Sequence, residues 1–241
     1  MMSLIRNDVA KLRRTFVGLL MAGIPLVVFV MTVAVLLEGP NVPSWPMMTL
    51  QGLAIWAYFL LPMSATALTA LMALVEHGSR GWAHVLALPI AKWKVFASKA
   101  VLATVLMLVL TCLVVAATVT GGLVVSAMVP SRAPTETLDI AQALSVGGRM
   151  WLAGLLVLAI QFAIAMRFES FAVPVLVGIS GTFVALVATS ARQGLYFPWL
   201  MPTNVLASDP GRADLAVSIG AVSGLVLFAV SCLWLARRDW D

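Results

Sequence analysis

Residues 76–99 read EHGSRGWAHVLALPIAKWKVFASK, the only long stretch between hydrophobic runs that is both charged and patterned. An apolar run of about Gly52 to Val75 precedes it, and no Asp, Glu, Lys or Arg appears between Lys99 and Arg132. A run of about twenty apolar residues at 1.5 Å each crosses a hydrocarbon core of roughly 30 Å. The stretch is thus a polar connection between two spans, and the rest of the chain follows the same alternation. Of 241 residues, 62% are hydrophobic and only 10% charged. A soluble domain of this length is about a quarter charged, so this composition places the chain in a bilayer.

Working outward, the pattern predicts an all-α, polytopic membrane protein forming a single transmembrane domain over residues 1–241. Its six spans are expected at about 15–37, 52–75, 100–125, 150–166, 171–189 and 215–236. Ile5, Val9 and Leu12 within residues 3–14, and Phe16 just after them, recur at helical spacing, with Arg6, Lys11, Arg13 and Arg14 mostly off that stripe. That is the pattern of an interfacial helix, with Arg13 and Arg14 as anchors near anionic headgroups. The run from Thr15 to Leu37 exceeds the roughly 7–15 residues of a signal core, so it is expected to be retained as the first span. Pro130 to Gly148 reads as a small polar loop with a short helix at LDIAQAL, and residues 167–170 as a tight turn. LYFPWLMPTN, with Pro198 and Pro202, is too apolar for an ordinary loop and too short to span, which suits a re-entrant or interfacial element before the sixth span.

Six spans put both termini on one side. The termini, the 76–99 connection and the 167–170 turn hold Arg6, Lys11, Arg13, Arg14, Arg80, Lys92, Lys94, Lys99, Arg167, Arg237 and Arg238. The opposite side holds only Arg132, Arg149, Arg192 and Arg212. The positive-inside rule then puts both termini in the cytosol, and it accounts for the net charge of +5 without nucleic acid.

The chemistry is sparse. There is no GxxxxGK[ST], HExxH or GxSxG, so ATP is not cradled here by a P-loop and no enzyme motif is present. His77 and His84 are about two helical turns apart, too far for a metal clamp, and Cys112 and Cys232 sit in apolar runs without metal spacing. Gln161 is the one amide well inside a span, and an interhelical hydrogen bond is its expected role, ahead of a pathway contact. Ala216, Gly220 and Gly224 form a close-packing stripe on the last span. With the span interiors almost free of ionisable groups, energy for transport has to come from a partner.

The 76–99 stretch is where such a partner would act. Glu76 and Arg80 are one turn apart, Trp82, Val85 and Leu86 form an apolar patch, and Pro89 sets a corner. A new helix is expected to start at Leu88–Ile90 and run into the third span, with Lys92, Trp93 and Lys99 as interface anchors. Glu76, Arg80, Trp82, Val85, Leu86 and Pro89 are the candidate docking residues. The competing reading of the same residues is a plain aromatic and basic membrane anchor.

In order, spacing and length, the basic N-terminus, the 76–99 stretch, QFAIAMRFESFAVPVLVGISGT and LYFPWLMP resemble the membrane subunits of type-2 ABC transporters. The resemblance is closest to permeases of the lantibiotic-immunity and peptide-export group. It implies that residues 76–99 hold the coupling helix, that two permease chains assemble with two ATPase subunits, and that ATP and Mg are bound by those subunits. The expected function is then export of an amphipathic or hydrophobic substrate, such as an antimicrobial peptide or drug, in self-immunity. The expected location is the bacterial inner membrane. A non-transporting membrane scaffold or sensor is the alternative, and an intramembrane enzyme lacks the polar groups it would need.

Overall fold

The computed structural model describes residues 2–12, 15–78, 90–189 and 192–238. Among these the protein is helical, with one isolated bridge between Ser44 and Thr135. Helix α1 (Met2–Leu12) precedes α2 (Val17–Glu38), which is largely exposed and lies at the rim of the bundle. Pro25 sits inside α2 without ending it.

The second span is one long helical path made of α3 (Trp45–Ile55), a π turn (Trp56–Leu60) and α4 (Leu61–Gly78). Pro62 explains the π turn. Proline supplies no N–H and its ring crowds the carbonyl four residues back, and the path widens in the turn before it, where the Leu61 N–H reaches the Trp56 carbonyl.

Helix α5 (Lys92–Met128) follows without a break between its polar start and its apolar body. The expected continuity of 76–99 into the third span therefore holds from Lys92 onward. The helix begins there, however, not at Leu88–Ile90: Ile90 is a bend and Ala91 the N-cap. At 37 residues it is about 55 Å long, well beyond a hydrocarbon core.

Helix α6 (Ile140–Ala153) corrects the expected loop over 130–148. Asp139 caps its start, its Oδ1 accepting from the Gln142 N–H at 2.9 Å. Helix α7 (Leu155–Arg167) continues it after a 42° bend at Gly154. Where a fourth span is expected, α6 and α7 form a broken helix starting about ten residues earlier than hydrophobicity suggests.

Residues 168–171 turn the chain into α8 (Ala172–Ala188), which is apolar but only 17 residues long. Residues 192–200 form short 3-10 turns, leading to α9 (Met201–Asn204) and then α10 (Pro210–Ala236), capped by Asp209. Among the described residues, four helices are long and apolar enough to cross a membrane, five when the bent α6–α7 pair counts as one.

The main core cluster lies at the centre of the bundle, with Trp56, Phe96, Leu110, Met150 and Phe162 essentially inaccessible, and a smaller cluster of Leu36, Trp45, Met48 and Val125 joins α2, α3 and α5. The tightest contacts need glycine. A Cβ on Gly220 would strike the backbone of Ala153, and one on Gly224 would lie 2.6 Å from the Leu155 carbonyl carbon. The stripe on α10 thus packs on the bend between α6 and α7.

Candidate functional site

Four charged side chains meet where α1 crosses α4 and α5. The Lys99 ammonium donates to Asp8 Oδ1 at 2.7 Å and to Glu76 Oε1 at 2.8 Å. Lys11 donates to the same Glu76 oxygen at 2.8 Å, and Ser98 Oγ donates to Asp8 Oδ2 at 3.1 Å. Glu76 is 1% exposed, Lys99 3% and Asp8 8%. Charges this deep are tolerated only when paired and hydrogen-bonded, and here two carboxylates face two ammonium groups. Glu76 Oε2 has no partner among the described residues, which leaves the network one unused acceptor.

The sequence builds this cluster by simple spacing. Asp8 and Lys11 are three apart on α1 and share a face. Glu76 lies two residues before the end of α4, and Lys99 two turns into α5. The cluster therefore fastens together the two helices that bracket residues 79–91 and lays α1 across them.

Three expectations change here. The buried face of α1 carries Asp8 and Leu12 with Ile5 beside them, whereas Val9 is 37% and Phe16 72% exposed. The apolar stripe is rotated because Asp8 must reach Lys99. Glu76 turns inward to the lysines instead of presenting its carboxylate for docking. Lys99 is a buried counter-ion, not a surface anchor.

Lys92, Trp93 and Lys94 are exposed at the start of α5, and the Lys94 ammonium lies 5.8 Å from the Trp93 ring centroid. Arg13, Arg14, Arg80, Trp82, Val85, Leu86 and Pro89 lie outside the described residues.

The same end of the bundle gathers further polar contacts. A ring nitrogen of His77 lies 3.3 Å from the Ala165 carbonyl, and Arg238 donates to the Arg167 carbonyl at 2.8 Å. At the other end, Arg132 donates to the Gly39 carbonyl at 2.7 Å, Arg212 donates to Asn204 Oδ1 at 3.0 Å, and Arg149 pairs with Asp214. Among the described residues, Lys11, Lys99, Arg167 and Arg238 thus lie at one end of the helices and Arg132, Arg149 and Arg212 at the other. Among the described residues no group of three or more His, Cys, Asp or Glu side chains could hold a metal.

Inside the bundle, Gln161 is fully buried. With its nitrogen toward the Pro174 carbonyl and its oxygen toward the Gly178 N–H, it makes two bonds of 3.1 Å to α8. Gly178 also lies against the Thr66 side chain, so α4, α7 and α8 converge there. Gln161→Leu should lower stability by about 1 kcal/mol, the scale of such bonds in membranes. A thermal unfolding midpoint in lipid nanodiscs unchanged from wild type would remove this role.

Sequence reasoning missed Asp8. Its signal was present: it is the single acid in a basic amphipathic helix, three residues after Ile5 and four before Leu12, and so on their face.

Membrane-length helices, with charged contacts at the two ends of the bundle, define a polytopic membrane protein. Residues 4–185 match the family described as ABC-2 family transporter protein. The chain belongs to this family and is a permease subunit of an ABC transporter, the membrane partner of an ABC ATPase. No curated protein and no solved structure matches it.

Proposed function

We propose that this chain is the permease of an exporter in the bacterial inner membrane, moving an amphipathic or hydrophobic cargo as ATP is hydrolysed by its partner. Two permease chains and two ATPase subunits would form the working unit, with ATP and Mg bound by the ATPases and no catalysis by this chain. The proposed path has six spans, counting the α6–α7 pair and the short α8 as one each, with both termini cytosolic, the arrangement the basic residues favour. Antimicrobial peptides, as in lantibiotic immunity, are the cargo class favoured by the sequence resemblance.

The observation that carries this reading is the charge cluster of Asp8, Lys11, Glu76 and Lys99. It joins α4 and α5 at the point where the chain leaves for residues 79–91, so a push on that segment is delivered to two long helices at once. Trp82, Val85 and Leu86 are the proposed grip for the ATPase, beside Arg80 and Pro89. Replacing Trp82 and Leu86 together by Asp is expected to separate ATP hydrolysis from transport while the helices remain folded. The measurement is ATPase co-purification and export side by side. Normal values of both in the double variant would sink the docking role.

A further inference from the structure

Between α3, α6 and the residues following α9 runs a groove of about 410 Å³. Met47, Leu50 and Ala54 form one wall, Val146 the second and residues 205–207 the third. Sites for small ligands have volumes of about 300–1,000 Å³ and apolar walls with a few placed polar groups. This groove has such groups. Gln51, its one polar side chain among the described residues, is exposed and has no hydrogen-bond partner among them. The N–H groups of Leu206 and Ala207 turn back to the Thr203 and Asn204 carbonyls, while no donor among the described residues reaches the carbonyls of residues 205–207.

The charges nearby are already engaged, Arg149 with Asp214 and Arg212 with Asn204. The groove therefore offers apolar surface plus neutral hydrogen-bonding groups. A second copy of the chain would suit it poorly. The backbone N–H groups of an apolar helix are consumed within the helix, so the carbonyls of residues 205–207 would be covered without donors, and Gln51 alone could pair with its counterpart.

We propose that this groove binds an amphiphile with an aliphatic tail and an uncharged head group that donates hydrogen bonds. Gln51 holds the head, and Leu50, Ala54 and Val146 hold the tail. The export reading is needed only to regard this ligand as cargo; binding itself does not depend on it.

The test uses the purified full chain in nanodiscs with a monoacylglycerol carrying a diazirine in its tail. Labelling is expected on the peptides containing residues 47–54 and 205–207, and excess unlabelled monoacylglycerol should suppress it. Gln51→Leu should weaken labelling about fivefold, the scale of one lost hydrogen bond. Ala54→Trp should abolish it by filling the groove. Unfolding midpoints of both variants separate loss of the site from loss of the fold, and Gln51→Leu, which keeps the side-chain volume, reads the site even where the tryptophan does not fold.

Labelling spread over the exposed faces of α2 and α10 and indifferent to both variants would mean ordinary solvating lipid, and would overturn the proposal. Stronger competition by anionic lysophosphatidylglycerol would overturn the uncharged head group. Disulfide-linked dimers of Leu50→Cys with no groove labelling would give the surface to a second copy. If labelling follows the proposal but no ATPase co-purifies, the site stands and the export reading fails.

Discussion

Lys99→Met is expected to destabilise the protein by about 3–5 kcal/mol, because Asp8 and Glu76 are left buried without their shared cation. Lys11 remains, but it reaches only Glu76 among the described carboxylates and its side chain is 30% exposed. The loss should appear as a lower unfolding midpoint in nanodiscs. Adding Asp8→Asn and Glu76→Gln to Lys99→Met should restore most of it, since the fully buried members are then neutral and Lys11, whose side chain is 30% exposed, can turn its ammonium outward. A single variant as stable as wild type, or a triple variant no better than the single, would mean that the cluster does not fasten α1 to α4 and α5. The export reading adds a second expectation: the restored triple variant, stable but with a softer joint, transports less per ATP hydrolysed.

The second large effect concerns the bend at Gly154. Gly224→Leu places a branched side chain where even a Cβ would lie 2.6–2.8 Å from Leu155 and Leu156 atoms. Overpacking of this kind costs about 1–3 kcal/mol, and more where the obstacle is backbone. Gly148 provides the contrast, since a Cβ there meets nothing within 4 Å. Gly148→Ala lies inside α6 and should stabilise by up to about 1 kcal/mol through helix propensity alone. Opposite signs for the two substitutions in one unfolding assay are the expected result. A Gly224→Leu variant as stable as wild type would mean that the stripe on α10 does not touch the α6–α7 bend.

The helices were legible because apolar length and loop composition are written locally. The run ahead of Glu76 and the charge-free run after Lys99 could hardly be anything else in a bilayer. The start of α6 was not legible, since residues 140–149 are too polar to read as part of a span. Their helix is set by the Asp139 cap and by packing against α5 and α10. The stripe of α1 was misread for a different reason: periodicity ranks Val9 and Phe16 by hydrophobicity, whereas the buried face was decided by an ion pair to Lys99, ninety-one residues away. The same distance hid the true role of Lys99. Its neighbours Lys92 and Lys94 are surface cations, and nothing local distinguishes it from them. Gln161 and the glycine stripe were readable, because an amide or a glycine in a span has few uses other than contact with another helix.

Burial of the charge cluster also fixes how it responds to its surroundings. Mobile ions screen exposed charges over roughly 8–10 Å at ordinary salt and reach buried pairs far less. Rising ionic strength should therefore weaken the exposed Arg149–Asp214 pair first, while Asp8, Glu76 and Lys99 keep their hold. The exposed pair at one end of the bundle is thus expected to lose strength with salt well before the buried cluster at the other end does.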